Sequence, residues 1–207
     1  MSTLQTAAAM NLTNPRTFHS LQCACVAEMH THRLYTAFSQ QMDEDGLHVV
    51  AHAFRYTAAQ EKEHADILRG RLSASGESAV PCPEDAPLLL PRDTQELLRA
   101  VIQVETNEGK HLYPGIAQTA QEEGYPRVAE ACRHIAETEL LHAQRFRRYA
   151  QALAEDRLFR DVRPVSWVCL GCGQFHAGLE APSCCPGCGR DQGFFIRSSF
   201  YPFSAMG

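Results

Sequence analysis

Apolar residues recur at three- and four-residue spacing through four stretches: LQCACVAEMHTHRLYTAF, LHVVAHAFRYTAAQEKEHADIL, LLRAVIQVETNEGKHLY and VAEACRHIAETELLHAQRF. The pattern predicts four amphipathic helices between about Thr17 and Gln151, each burying one stripe against the others. Two breaks, Asp43-Glu44-Asp45-Gly46 and Glu123-Gly124-Tyr125-Pro126, are short enough to turn antiparallel helix pairs, with one helix ending at Gly124 and the next starting at Pro126. Between the pairs lies SASGESAVPCPEDAPLLLPRD, whose prolines and small residues cannot continue a helix. It is too long for a hairpin loop and reads as a crossover.

The two pairs resemble each other. Sliding Tyr35–His64 onto Tyr113–His142 without a gap superposes Gly46 on Gly124, Arg55 on Arg133, Ala58 on Ala136, Glu61 on Glu139 and His64 on His142. A duplicated helix pair predicts a bundle with a pseudo-twofold axis and a site on that axis. Beyond Ala152 the composition changes, through the charged connector AEDRLFRDVRPVS, to cysteine, glycine and aromatics from Trp167 onward. The expected division is a bundle domain over 1–155 and a linker with a small second domain over 156–207.

Composition narrows the function classes. A net charge of −5 and a pI near 6.0 provide no basic field for nucleic acid and no polybasic surface for anionic lipid. The N-terminal stretch lacks a charged region followed by an apolar core, and no apolar run approaches a membrane span. The expectation is a soluble, cytoplasmic protein with no nucleic-acid or membrane partner. Nine cysteines would suit a secreted disulfide framework, but four of them form two CxxC pairs, which suits metal binding in a reducing compartment better.

The chemistry concentrates in Glu61-x-x-His64 and Glu139-x-x-His142, each placing an oxygen and a nitrogen ligand on one helical face. A single such motif is more often a solvated surface. Two at equivalent places in a repeat, each preceded by a glutamate in the helix before it (Glu28 and Glu105), fit a di-metal carboxylate centre in a four-helix bundle. Glu108, about one turn beyond Glu105, offers a further carboxylate. Two close cations need anionic bridges to cancel their repulsion, and imidazoles supply neutral ligands that suit iron. Tyr35 and Tyr113, seven residues after Glu28 and eight after Glu105, are read as hydrogen-bond partners of the carboxylates rather than plain core aromatics. His19, His30, His32, His48, His52, His111, His134 and His176 are read as surface or partner residues.

Cys169-Leu-Gly-Cys172-Gly and Cys185-Pro-Gly-Cys188-Gly make two knuckles whose four thiolates suit a tetrahedral iron or zinc site. Cys184 adjoins the second knuckle, but only Cys185 completes a CxxC with Cys188. Trp167, Phe175, Phe194 and Phe195 are expected to form the small domain's core, and Cys23, Cys25, Cys82 and Cys132 to be buried apolar residues or loop thiols.

Together AEMHTHRLYTAF, QEKEHA, VETNEGKHLYP, EEGYPRVAEACRHIAETELLHAQRF and WVCLGCG…APSCCPGCG closely resemble the rubrerythrin family over roughly Phe18–Phe195. The resemblance implies a mainly α fold: a ferritin-like four-helix bundle, in which a long crossover is a known connection, with a small C-terminal rubredoxin-like metal-binding domain. It implies two non-haem irons held by Glu28, Glu61, His64, Glu105, Glu108, Glu139 and His142, with Glu108 and His64 exchanging as ligands when the centre is reduced. A third iron would sit on Cys169, Cys172, Cys185 and Cys188, where zinc is also chemically possible. The implied activity is a peroxidase reducing hydrogen peroxide to water in oxidative stress defence. Electrons would be relayed through the four-thiolate iron from an electron-donor protein or NAD(P)H-dependent reductase, and the implied assembly is a homodimer. The surroundings of Glu28 depart from the family pattern, carrying Cys23, Cys25, His30 and His32. Competing readings are a ferroxidase, which leaves the cysteine module unused, and a metal-binding protein with a structural zinc ribbon.

Overall fold

In the computed structural model, residues 15–77 and 91–200 are described. The bundle consists of α1 (Pro15–Glu44), α2 (His48–Ala74), α3 (Thr94–Asn107), α4 (Tyr113–Glu122) and α5 (Pro126–Ala154). α3 and α4 are joined without a break by one turn of π-helix, Glu108–Leu112, so together they make the third helix of four. Among the described residues, no helix is long and apolar enough to cross a membrane. Most of the crossover, with Cys82, lies outside the described residues.

Local chemistry sets the helix ends. α1 closes with Leu47 N–H donating to Met42 O at 2.8 Å and Gly46 N–H to Asp43 O at 3.1 Å, and α4 closes with Tyr125 N–H to Ala120 O at 2.7 Å and Gly124 N–H to Gln121 O at 3.3 Å. Both turns need a left-handed residue, supplied by Gly46 (φ +70°) and Gly124 (φ +84°). The duplicated pairs therefore share their turn as well as their motif. α3 starts at Asp93, whose carboxylate accepts from Glu96 N–H at 2.7 Å. α5 starts with Pro126, whose missing N–H costs nothing in the first turn.

The π-turn requires close packing. A Cβ on Gly109 would lie 2.8 Å from both Ala136 O and Leu140 Cγ of α5, so the wide turn approaches α5 only because the residue is glycine.

The bundle core has two parts. One gathers Tyr35, Phe38 and Met42 of α1, Val50 and Phe54 of α2, Leu97 and Leu98 of α3, and Phe146 of α5. The other gathers Phe18 and Leu21 of α1, Leu68 and Leu72 of α2, Tyr113 and Ile116 of α4, and Cys132 and Ile135 of α5. On every helix, the residues between these apolar groups are the candidate ligands. Burial of two apolar layers thus fixes the height of the polar layer between them.

After α5 the chain forms an antiparallel sheet of order β2-β1-β3 from β1 (Arg160–Cys169), β2 (Phe175–Glu180) and β3 (Phe195–Arg197). Trp167 and Phe195 are fully buried in its small core with Cys169, Ala181 and Cys185. Phe175 is not part of that core: it is 61 % exposed, because its place at the start of β2 turns the ring outward. Phe194 packs only partly there and stacks on His48 of α2 at 4.0 Å between ring centroids. Leu158, Val168 and Ile196 join the first apolar cluster of the bundle, and His48 Nε2 lies 3.4 Å from Asp191 Oδ2. The sheet module is therefore seated on the α1–α2 turn. His48 belongs to this seat rather than to open surface.

Candidate metal centre

Glu28 of α1, Glu61 and His64 of α2 and Glu139 of α5 present one ligand atom each within 4.8 Å of one another, all buried. Glu61, Glu105 of α3, Glu139 and His142 of α5 form a second such group. Glu61 and Glu139 belong to both groups, so the two share an edge made of the two repeat-related glutamates. His64 Nδ1 lies 2.9 Å from Glu139 Oε1 and 3.3 Å from Glu61 Oε2. His142 Nδ1 lies 2.8 Å from Glu139 Oε2, 2.9 Å from Glu61 Oε1 and 3.4 Å from Glu105 Oε2.

Despite these short approaches, Glu61 Oε1, His64 Nδ1, Glu105 Oε2, both Glu139 carboxylate oxygens and His142 Nδ1 are buried without a hydrogen-bond partner among the described residues. Buried polar atoms left unpaired cost of order 1–3 kcal/mol each, more if charged. Six converging orphan atoms, all oxygen or imidazole nitrogen, fit a pair of divalent cations such as iron, which would satisfy every one. The tyrosines cross between halves to fix the outer carboxylates: Tyr35 Oη donates to Glu105 Oε1, and Tyr113 Oη donates to Glu28 Oε1. Each carboxylate then keeps an oxygen for a cation.

Electrostatics point the same way. Burial, with Glu139 and Glu61 nearby, raises the Glu28 carboxyl well above its usual range. Burial likewise pushes Glu105 to about 8. Burial alone would lower His142, but Glu105, Glu139 and Glu61 outweigh it and raise the imidazole to about 11. The carboxylates thus seek positive charge from whatever is nearest, and two cations would provide it while leaving the imidazoles neutral.

Glu108 stands apart. It lies on the π-turn, half-buried, outside both four-residue groups, its carboxyl raised to about 8 by burial and by Glu139 and Glu61. His30 and His32, near Glu28 in sequence, belong to neither group, and His32 Nδ1 instead lies 2.7 Å from Ala58 O. Of the remaining thiols described, Cys25 and Cys132 are buried, whereas Cys23 is exposed on α1 beside His19.

Three contacts around the sites escaped the sequence reading. Gln60 Oε1 lies 3.1 Å from His142 Nε2, and Arg145 Nη1 donates to Gln60 Oε1 at 3.3 Å. A faint signal existed, since Arg145 is one helical turn beyond His142. His176, read as a surface or partner residue, places Nε2 3.9 Å from Cys185 Sγ because β2 lies alongside the knuckles.

In the sheet module Cys169, Cys172, Cys185 and Cys188 converge within 4.8 Å. Cys169 Sγ is 3.7 Å from Cys188 Sγ, and Cys172 Sγ is 3.7 Å from Cys185 Sγ, spacings suited to a tetrahedral cation rather than to disulfides. Each knuckle closes on a left-handed glycine, Gly173 (φ +78°) or Gly189 (φ +75°), whose N–H donates to Cys169 O at 2.7 Å or Cys185 O at 2.8 Å. Cys184 remains exposed and outside the group.

The chain is similar to known proteins in sequence and in fold. Rubrerythrin of Clostridium perfringens is 35 % identical over 187 residues, covering 89 % of this chain and 95 % of its own. Rubrerythrin of Nitratidesulfovibrio vulgaris is 32 % identical over 185 residues, with the same coverages. Among solved structures, nigerythrin in its fully reduced, all-ferrous state aligns with a TM-score of 0.61 and 26 % identity, covering 87 % of this chain and 86 % of its own. A bacterioferritin of Desulfovibrio desulfuricans, described with a di-iron site, aligns with a TM-score of 0.64 at 16 % identity over 69 % of this chain and 82 % of its own, a likeness of fold alone. The family model for rubrerythrin matches residues 19–150, and with carboxylate and histidine groups suited to metal on a ferritin-like bundle and a four-cysteine group on a rubredoxin-like module, this chain belongs to the rubrerythrin family.

Proposed function

We propose that the protein is a di-iron peroxidase that reduces hydrogen peroxide to water in oxidative stress defence, drawing its electrons through the four-cysteine site. The observation that carries this reading is the presence, in one chain, of a buried carboxylate and imidazole cluster with orphaned ligand atoms and a separate four-thiolate cluster. When bound, a ferrous pair supplies two electrons to the O–O bond and a four-thiolate iron supplies single-electron replacements, so that H2O2, two electrons and two protons give two waters.

The chain's residues prepare that chemistry. Glu28, Glu61, His64 and Glu139 would hold one cation and Glu61, Glu105, Glu139 and His142 the other, with Glu61 and Glu139 common to both groups. Tyr35 and Tyr113 hold the outer carboxylates in place across the pseudo-twofold axis. Glu108, on a turn wider than an α-helix, would offer with His64 an alternative ligand pair as the centre changes redox state. The apolar clusters above and below exclude bulk water.

Within one chain the sheet module sits at the His48 end of α2, about 20 Å along the helix from Glu61. That separation favours a homodimer in which the module of one subunit serves the bundle of the other. An NAD(P)H-dependent reductase or another electron-donor protein would then recharge the cysteine site, in the cytoplasm. Mixing Glu61→Ala chains with Cys185→Ser chains should restore turnover if service is between subunits; no recovery in mixed dimers would place the relay within one chain.

The direct test is anaerobic stopped-flow absorbance of the fully reduced protein mixed with hydrogen peroxide. Rapid return of the ferric four-thiolate colour, slower with dioxygen, is the expected result. A protein that stays colourless or ignores peroxide would overturn the reading.

A further inference from the structure

We infer that Gln60 and Arg145 are positioning residues that lock His142 in one tautomer as a permanent ligand, while His64, lacking any equivalent among the described residues, is left free to come and go. The inference rests on reading the cluster as a di-metal centre.

The argument is one of donors and acceptors. Arginine has five N–H donors and no acceptor. Arg145 Nη1 lies 2.7 Å from Thr57 Oγ1 and 3.3 Å from the side-chain amide of Gln60, so the amide atom facing it must be the oxygen. Thr57 has already committed its proton to Ala53 O at 2.9 Å, which makes its hydroxyl an acceptor for the guanidinium. The same Gln60 oxygen is 3.1 Å from His142 Nε2. An oxygen accepts only, so Nε2 carries the hydrogen. With a cation in place the ring is neutral, so Nδ1 is the lone-pair nitrogen, and it is the atom aimed at Glu61, Glu105 and Glu139. One guanidinium, itself seated 4.9 Å over the Tyr56 ring, thus dictates through one amide which imidazole nitrogen can hold a cation.

The repeat supplies an internal control. The register that lays Glu61 on Glu139 lays Gln60 on Thr138, Arg145 on Ile67 and Thr57 on Ile135. Around His64 the amide is therefore replaced by a hydroxyl, and that hydroxyl donates to His134 O at 3.1 Å within its own helix. The guanidinium is replaced by Ile67, which is partly exposed, and the threonine by buried Ile135. The device was built into one half only.

The test uses the full-length protein loaded with zinc, which is diamagnetic, in place of iron. Nitrogen-correlated NMR of the imidazoles should show His142 bound through Nδ1 with a slowly exchanging Nε2–H, and His64 with a fast-exchanging one. Gln60→Leu should abolish that protection and release one of the two bundle metals to a chelator about 10–100-fold more readily. Gln60→Glu, which keeps an acceptor for both the imidazole and the guanidinium, should restore both properties. Equal exchange at the two histidines in the unmutated protein, or unchanged metal retention in Gln60→Leu, would overturn the inference; so would Gln60→Glu behaving like Gln60→Leu. If Gln60→Leu fails to fold, the exchange contrast in the unmutated protein decides alone. A bundle that retains no pair of metals at all would instead sink the di-metal reading beneath it.

Discussion

The two helix pairs of the bundle differ by one residue in the spacing from glutamate to tyrosine. From Glu28 to Tyr35 the first helix counts seven, and from Glu105 to Tyr113 the third counts eight; in both pairs the tyrosine reaches the other pair's glutamate. The extra residue is absorbed by the π-turn at Glu108–Leu112, which restores the register downstream so that Tyr113, Glu139 and His142 occupy places equivalent to Tyr35, Glu61 and His64. Without it a straight α-helix would rotate one end of the third helix by about 100° relative to the other. The lesson is that a duplicated scaffold acquires an unequal site by a local change in helix winding, with the turns at Gly46 and Gly124 left alike. The widened turn begins at Glu108, an acid for which the first half has only buried Thr31 in the register that pairs Glu105 with Glu28.

The comparison breaks hardest at the shared edge. Glu61→Ala or Glu139→Ala should empty both metal positions, since each glutamate serves both groups, whereas Glu28→Ala or Glu105→Ala should each leave about one metal. Metal analysis after dialysis checks the ladder, and equal losses from all four would mean that the halves do not share bridges. Next come the crossed tyrosines. Tyr35→Phe and Tyr113→Phe should cost the metal-loaded protein similar amounts, about 1.5–3 kcal/mol each, because each removes one hydrogen bond to a carboxylate. Denaturant midpoints that differ widely between them would show the halves to be energetically unequal.

A smaller effect isolates the winding itself. Gly109→Ala should destabilise by about 1–3 kcal/mol, since the new methyl group meets backbone and side chain of α5 in a turn that cannot retreat. Gly70→Ala in the first half and Gly115→Ala in the second face open space and should each stabilise by about 0.5–1 kcal/mol through helix propensity alone. Thermal unfolding of the three variants separates the glycine that the fold needs from two that it tolerates.

Much of this was legible from residue spacing. The apolar stripes give the four helices, and the repeated Glu-x-x-His gives the residues that gather at the centre, because helical periodicity converts spacing directly into facing. The sevenfold and eightfold counts carried the mark of the π-turn as well. Periodicity could not interpret it, since the stripes on either side of Glu108 are each normally helical and only their relative phase is altered. Gln60 and Arg145 were hidden for a different reason: a polar residue beside a charged run looks like solvated surface until another helix is placed against it. The same holds for His48 and Phe194, far apart in sequence and stacked only because the sheet module lands on the α1–α2 turn. Phe175 failed in the opposite sense, an aromatic counted as core that a strand's alternation points outward.

The polar layer also divides the bundle as a folding unit. Along each helix the hydrophobic contacts stop at the candidate ligands and resume beyond them, so among the described residues the two ends share no continuous core and are joined through the polar layer and the covalent helices. With cations in place the ligands tie four helices at one height, and the molecule should open as a single cooperative block. Stripped of them, it should behave as two stacked foldons, with amides near Phe54 and Phe146 exchanging on a different schedule from those near Leu68 and Ile135. In this architecture the metal ions would set the size of the cooperative unit.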